Sequence, residues 1–295
     1  MSNQLQQTPH SLDHQHEAYH HHHSHATHSQ HAHGHHVLQV EDLSIGFDMY
    51  ESASSLSSKR LFSPVIDHLN ISVHEGEILA LVGASGSGKT VLADAIMGLY
   101  EPNVRVEGII YFDGQLQTAQ TLAKHRGREI AFVPQSIAAL DPLMRIGRQI
   151  GGTRPEREAL YARYQLDANV ENLYPHQLSG GMARRVLLCT ALIGNPKLII
   201  ADEPTPGLDL DLAIAAMADF RAFADGGGSV LLITHDIQLA LHVADRLAIF
   251  KDGSVIEETS VESFASPDKL STPFAKELWH ALPEHDFEAS QGGAL

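Results

Sequence analysis

A glycine-rich segment followed by lysine and threonine is the strongest chemical signal in the sequence. Residues 83–90 read GASGSGKT and match G-x-x-x-x-G-K-[ST], after the apolar run 77–82 and before a helical pattern at 91–99. Such a loop turns its backbone amides toward phosphates, and its lysine and hydroxyl reach the phosphates and Mg²⁺. We predict a nucleotide-phosphate site formed by Gly83, Ala84, Ser85, Gly86, Ser87, Gly88, Lys89 and Thr90. An ordinary glycine-rich turn is the alternative.

Further motifs follow the phosphate loop. In chain order they are Gln135 after the apolar run 130–134, LSGGM at 178–182, ADE at 201–203, PTPGLD at 204–209 and THD at 234–236. In this order the set resembles the ATP-binding cassette (ABC) ATPases over roughly residues 37–283, in which these motifs are called the Q-loop, signature, Walker B, D-loop and H-loop.

The resemblance implies ATP and Mg²⁺ as cofactors and gives roles to the polar residues. Asp202, with Thr90 and Gln135, is implied to hold Mg²⁺, which suits a strand-end carboxylate beside a phosphate loop. Glu203 is implied to be the general base for water, and Lys89, Gln135 and His235 complete the catalytic set. Taken alone, the acidic pair also fits two solvated acids, and His235 fits an ordinary histidine.

Two more elements of the ATP site follow from the resemblance. Ser179, Gly180 and Gly181 are implied to bind the γ-phosphate of ATP held by a second subunit, so the complete site needs a dimer, and Asp209 is assigned to the same nucleotide contact. An aromatic side chain near the first strand is implied to stack on adenine. We choose Phe47, with Tyr50 as the alternative, and a core role for Phe47 remains open.

Strand and helix patterns that alternate along the chain must position these residues, which indicates an α/β fold. The resemblance implies the P-loop NTPase fold of ABC ATPases. It includes a mainly parallel core sheet, an N-terminal antiparallel β-subdomain and a short helical subdomain at about 136–190. We predict that the ABC domain spans residues 37–283. Within it, residues 51–60 are predicted to form a serine-rich surface loop. Residues 284–295 are predicted to form a flexible tail.

Composition restricts the function further. With Lys plus Arg at 20 and Asp plus Glu at 36, the 295-residue chain has a net charge of −16, which disfavours nucleic-acid binding. Cys189 is the only cysteine, so an internal disulfide is excluded, and its apolar neighbours predict a small buried side chain. No apolar run reaches the roughly 20 residues that span a bilayer. We expect a soluble cytoplasmic protein that meets the membrane through a partner.

Residues 1–36 hold 13 of the 21 histidines and few large aliphatic residues, so we interpret them as a disordered tail. Imidazole suits Ni²⁺, Co²⁺, Cu²⁺ and Zn²⁺. The candidate ligands are His20, His21, His22, His23, His25, His33, His35 and His36. A purification tag or a low-complexity segment without a role is the alternative.

Three segments are similar to the dipeptide, oligopeptide and nickel importers: LSGGM at 178–182, FVPQ at 132–135 with LDPL at 140–143, and STPFAKEL at 271–278. This subfamily implies a subunit at the cytoplasmic face of the inner membrane. Its implied partners are two integral-membrane permease subunits, a second and distinct ABC ATPase that completes a heterodimer, and indirectly a substrate-binding protein. No nucleic acid is implied.

The predicted function is an ATPase that energises import of nickel or a related divalent metal, free or chelated. The alternatives are a di- or oligopeptide importer, a soluble non-transport ABC ATPase, and a metal-buffering protein with a decayed ATPase. Three departures stand out: a short segment between Gln135 and Ser179, Arg184 where glutamine is usual, and no cysteine after Cys189 to ligate an iron–sulfur cluster.

Overall fold

The computed structural model describes residues 35–50, 60–100 and 103–282. Its strands are β1 (His36–Tyr50), β2 (Arg60–His74), β3 (Ile78–Gly83), β4 (Val104–Phe112), β5 (Gln115–Leu116), β6 (Ile130–Val133), β7 (Leu198–Asp202), β8 (Ser229–Thr234), β9 (Arg246–Lys251) and β10 (Ser254–Ser260). The predicted loop at 51–59, the histidines before His35 and the tail 284–295 lie outside the described residues.

The helices connect these strands. They are α1 (Lys89–Ile96), α2 (Ala119–His125), α3 (Ile146–Gln149), α4 (Arg154–Arg163), α5 (Gly180–Leu192), α6 (Leu210–Asp225), α7 (Ile237–Leu241), α8 (Val261–Phe264) and α9 (Pro273–His280). No helix in the described ranges is long and apolar enough to cross a membrane.

Two sheets form the framework. A four-stranded antiparallel sheet has the order β2-β1-β4-β5, and a six-stranded sheet has the order β10-β9-β3-β8-β7-β6. In the larger sheet β9, β3, β8, β7 and β6 are parallel, and only the edge strand β10 is antiparallel to its neighbour. The predicted α/β fold, with an antiparallel N-terminal sheet and a mainly parallel core sheet, is confirmed.

Strand β3 is buried on both faces, which explains its unbroken apolar sequence. Ile78, Ala80 and Val82 belong to the hydrophobic cluster that includes apolar residues of α5 and α6. Leu79 and Leu81 point the other way, into the cluster formed with α1 and the antiparallel sheet. The core sheet is therefore the middle layer, with a hydrophobic cluster on each face.

The parallel direction of these strands decides where the chemistry lies. The phosphate loop follows β3, Gln135 lies just beyond β6, Asp202 ends β7 and His235 follows β8. Parallel neighbours end at the same edge of a sheet, and this edge is where open α/β sheets bind ligands. Four motifs that are far apart in sequence therefore meet at one edge.

The segment between Gln135 and the signature is helical but irregular, as predicted. It contains α3, α4 and 3-10 turns at 137–139, 168–172 and 175–177, and it leads directly into α5. A capping box starts α4: the backbone NH of Thr153 donates to Glu156 Oε2 at 2.6 Å, and proline occupies the first turn. The glycines before this cap bring the chain back toward the core over a short distance.

The STPFAKEL segment forms the start and body of α9, and Glu257 of β10 anchors it. The carboxylate of Glu257 accepts hydrogen bonds from the backbone NH groups of Ser271 and Thr272, at 2.7 and 2.8 Å, and from the Thr272 hydroxyl at 2.7 Å. Residues of α9 such as Trp279 then pack on the same cluster as α5 and α6. Helix α9 is thus part of the same hydrophobic core.

Cys189 lies on α5 and is fully buried in the hydrophobic cluster. Burial raises the pKa of its thiol to about 12, so the reactive thiolate is scarce at neutral pH. Its placement agrees with the predicted small apolar role.

We predict that the native protein reacts with iodoacetamide on the order of a hundredfold more slowly than the unfolded chain, because reaction requires local opening. Raising the pH from about 7 to 9 should increase the labelling rate of the native protein only slightly, since the thiol stays neutral. Mass spectrometry follows the single site, and the guanidinium-unfolded protein is the control. Rapid native labelling would contradict the assignment.

Candidate functional site

The phosphate loop joins β3 to α1, as the motif requires. Gly86 and Gly88 have φ of 76° and 110°, in the left-handed region where a side chain is strained. A Cβ on Gly88 would also lie 3.1 Å from atoms of Val65 on β2, so that position needs glycine for space as well. The loop is therefore shaped by its glycines and by the antiparallel sheet beside it.

Lys89 folds back over this loop. Its Nζ donates to the carbonyl oxygens of Gly83 and Ala84, both at 2.8 Å. Burial lowers the pKa of Lys89, and the nearby carboxylates of Glu203 and Asp202 oppose that shift. The ammonium group is thus held at the mouth of the loop, where phosphate oxygens would replace its carbonyl partners.

Asp202 and Glu203 lie opposite the loop, at the end of β7. The Thr90 hydroxyl donates to Asp202 Oδ2 at 2.7 Å and lies 3.4 Å from Gln135 Oε1. Burial raises the pKa of Asp202. The atoms Asp202 Oδ1 and Glu203 Oε2 are buried without a hydrogen-bond partner. A hard divalent cation and its water satisfy such oxygen atoms, so this donor set fits Mg²⁺.

Glu203 has an unusual backbone. Its φ is 48°, a left-handed conformation that is rare for residues other than glycine, asparagine and aspartate. Its backbone NH donates to the carbonyl of Ile233 on β8 at 2.9 Å, which holds the conformation. Strain of this kind is concentrated at functional sites, where it fixes the direction of a side chain.

His235 completes the edge of the sheet. Its Nδ1 lies 2.8 Å from Glu203 Oε1, and the imidazole is 59% exposed while the carboxylate is buried. Because an ionised carboxylate only accepts hydrogen bonds, this contact requires a proton on Nδ1. The structure brings together Lys89, Thr90, Gln135, Asp202, Glu203 and His235, all of which were predicted site residues.

The signature residues form the beginning of α5. Ser179 is the N-cap, and its Oγ accepts from the backbone NH of Met182 at 3.2 Å. A Cβ on Gly181 would lie 3.4 Å from the carbonyl oxygen of Gly207, so the signature and the D-loop are neighbours. Asp209 caps α6 by accepting from the NH of Leu212 at 3.0 Å. No hydrogen bond in the described residues joins the signature to the phosphate loop of the same chain.

Phe47 lies on β1, opposite Ser63 of β2 and Val104 of β4. It is half-buried. Ser63 is two residues from Val65, which adjoins the phosphate loop at Gly88. The side chain of Tyr50, the alternative, lies outside the described residues.

Two of the eight candidate metal-binding histidines fall in the described ranges. His35 Nε2 lies 2.6 Å from Asp113 Oδ1. The ring of His36 packs edge-on against that of His74, with 4.5 Å between centroids, and burial lowers the pKa of His36. Within the described part of the chain no group of three or more histidine, cysteine or acidic residues is arranged to hold a metal. His20 to His33 lie outside it.

One polar residue beside the site was noted in the sequence but given no role. Arg184 is buried on α5, and its guanidinium donates to the carbonyl oxygens of Pro134 and Gln135. The only signal in the sequence was that arginine stands where glutamine is usual. The contact itself joins residues about 50 positions apart, so no local pattern reveals it.

Known proteins share this sequence pattern and fold. The ABC transporter family model matches residues 66–206. The oligopeptide transport ATP-binding protein OppD of Lactococcus lactis subsp. cremoris is 34% identical over 269 residues, which cover 84% of this chain and 76% of that protein. The chain belongs to the ATP-binding subunits of ABC transporters. This ABC subunit is thus a transport ATPase, as the sequence predicted.

Two further comparisons support the same family. The metal-staphylopine import system ATP-binding protein CntD of Staphylococcus aureus is 33% identical to this ABC subunit, covering 75% of its chain and 89% of CntD. A solved dimeric ATP-binding cassette bound to ADP and Pi superimposes with a TM-score of 0.63 at 27% identity, covering 76% of this chain and 98% of that one.

The cap of α6 offers a stability test within the site. We expect Asp209→Ala to lower the free energy of unfolding of the nucleotide-free ABC subunit by about 1 kcal/mol, because the NH of Leu212 loses its acceptor. Asp211→Ala, in the first turn of the same helix, is the matched control and should cost only about 0.3 kcal/mol through the helix dipole. Urea unfolding measures both, and equal losses would show that the cap is unimportant.

Proposed function

We propose that this subunit hydrolyses MgATP to energise an importer of small peptides or peptide-like solutes. The observation that carries the proposal is the meeting of the phosphate loop, the acidic pair and His235 at one sheet edge. The similarity to an oligopeptide transport subunit supports the solute class.

In the proposed site, Lys89 and the loop amides bind the phosphates of ATP. Thr90, Asp202 and Gln135 hold Mg²⁺, which neutralises charge on the phosphates when bound. Glu203 accepts a proton from the attacking water, and His235 orients the carboxylate through the 2.8 Å contact at Oε1. The other carboxylate oxygen, Oε2, is buried without a hydrogen-bond partner, so its capacity to accept a proton is not used within the chain. Phe47 stacks on adenine.

Hydrolysis in this proposal requires a second ABC ATPase. The N-terminus of α5 presents Ser179, Gly180 and Gly181, and a Cβ on Gly180 would meet nothing within 4 Å. Exposed backbone NH groups at a helix N-terminus attract an anion such as the γ-phosphate bound to the partner. The resemblance to peptide and nickel importers supports a distinct paralogue and hence a heterodimer.

The proposed permease contact lies beside the Q-loop. Leu143 is 88% exposed, and Ile137 and Met144 are also exposed apolar side chains of the same segment. Leu143 and Met144 line a cleft of about 270 Å³ together with Tyr174. Exposed apolar groups next to a groove are typical of a protein interface. In the proposal, the two integral-membrane permeases dock at this surface. The subunit would then lie at the cytoplasmic face of the inner membrane, and a substrate-binding protein would be an indirect partner.

A metal chelate is the second candidate solute. The similarity to a metal-staphylopine import subunit favours it, and so do the histidines of residues 1–36. Free nickel has less support than either a peptide or a chelate, because one similar protein is an oligopeptide transport subunit and the other is a metal-staphylopine import subunit.

We expect Glu203→Gln to reduce the ATPase rate by about a hundredfold or more, because the general base is lost while the shape is kept. ATP binding persists, so the variant should accumulate an ATP-bound dimer with its partner subunit, visible by size-exclusion chromatography. Glu158→Gln, an exposed change on α4, is the control. A Glu203→Gln protein that hydrolyses ATP at the wild-type rate would disprove the assignment.

Uptake distinguishes the solutes. In cells that lack this gene, we expect labelled di- and oligopeptide uptake to fall and to be restored by the wild type but not by Glu203→Gln. Elemental analysis of the same cells in metal-poor medium tests the second candidate: loss of nickel, cobalt or zinc with unchanged peptide uptake would replace the peptide reading with the chelate. If neither changes and no permease co-purifies, the importer proposal for these solutes is wrong.

A further inference from the structure

Arg184 is a buried cation on the signature helix α5, with 8% of the residue exposed. One of its terminal nitrogens donates to the carbonyl oxygen of Pro134 at 2.8 Å, and the other donates to that of Gln135 at 2.5 Å. A guanidinium group is a planar fork whose nitrogens can serve two acceptors at once. Arg184 therefore binds the carbonyl groups of two successive peptide units, one on each side of the Gln135 Cα, at the start of the Q-loop.

Gln135 extends from that backbone toward the proposed Mg²⁺ site. Its side-chain Oε1 lies 3.4 Å from the hydroxyl oxygen of Thr90, which in turn donates to Asp202 at 2.7 Å. A continuous set of contacts thus runs from α5 through the main chain of Gln135 to the oxygen atoms that fit Mg²⁺. The position of the Gln135 amide depends on where its backbone is held.

The charge of Arg184 also fits this place. Its burial is unfavourable for a cation, and the carboxylates of Asp202 and Glu203 offset that effect through attraction. Glutamine, usual at this position in the resembled ATPases, has no charge and only one amide nitrogen. Its two N–H donors lie on that single nitrogen, so it lacks both the separate nitrogens of the fork and the attraction to the acidic pair.

We propose that Arg184 is a positioning residue that ties the Q-loop backbone to the signature helix and so holds Gln135 ready for Mg²⁺ before nucleotide binds. The inference rests on the proposed Mg²⁺ role of Gln135. It also makes the signature helix and the Q-loop one unit, so a shift of α5 relative to the sheet moves a ligand of the metal.

The experiment separates metal-dependent from metal-independent nucleotide binding in the purified full chain. Fluorescence titration with mant-ATP is performed in EDTA and then in saturating Mg²⁺. For Arg184→Gln we expect the affinity in EDTA to stay within about twofold, while the gain in affinity from Mg²⁺ shrinks roughly tenfold through the lost charged hydrogen bonds. Arg184→Lys keeps the charge without the fork and should fall between this variant and the wild type.

Arg185→Gln is the matched control. Arg185 is the next residue of α5, and its guanidinium also donates to backbone carbonyls, those of Gly181, Tyr164 and Gln165, but not to the Q-loop. Its Mg²⁺ gain should equal that of the wild type even if its melting temperature falls. Hydrogen exchange of the amides in 134–140 should be faster in Arg184→Gln and unchanged in Arg185→Gln.

Gln135→Ala identifies which assumption fails. If Gln135→Ala loses the increase in mant-ATP affinity that Mg²⁺ produces and Arg184→Gln keeps it, the positioning role of Arg184 is wrong while the role of Gln135 stands. If Gln135→Ala keeps the full gain, the proposed metal role of Gln135 is wrong, and the inference for Arg184 falls with it. If Arg184→Gln and Arg185→Gln lose equal parts of the Mg²⁺-dependent increase in affinity, Arg184 has only a structural role.

Discussion

Two buried carboxylates at the end of β7 are the constraint on which the site depends. Charged groups removed from water need compensation, and an uncompensated one costs several kcal/mol. Lys89 approaches from the phosphate loop and Arg184 from α5, while Thr90 and His235 each contact one carboxylate. One oxygen of Asp202 and one of Glu203 still lack a partner. The site thus contains buried negative charge that the protein's own groups only partly compensate.

Local sequence patterns predicted the parts of the site that a single segment defines. The glycine pattern at 83–90 and the apolar run ending in Asp202 each require only their own strand and loop. The pairing of Glu203 with His235 was not predicted, because it depends on β7 and β8 being neighbours. The contact of Arg184 with the Q-loop was missed for a similar reason, since it is set by the packing of α5 against the end of β6.

The antiparallel sheet shows a related limit. The sequence predicted a loop at 51–60, but β2 already begins at Arg60 and pairs with β1 as far as Tyr50. Hairpin pairing is made by backbone groups, so it continues past the apolar residues that mark a strand in sequence. Phe47, which is proposed to stack on adenine, lies on β1 within this paired region. The identity of the solute was beyond prediction because the residues of the candidate site are those proposed to bind ATP and Mg²⁺.

The lysine of the phosphate loop has a consequence for how nucleotide is acquired. Its ammonium group already has two carbonyl partners, Gly83 and Ala84, in the same loop. Arrival of a phosphate is therefore an exchange of partners, in which these internal bonds are given up as new ones form. The affinity for nucleotide at this lysine therefore reflects a difference between two sets of hydrogen bonds, which is smaller than a count of the new contacts alone would suggest.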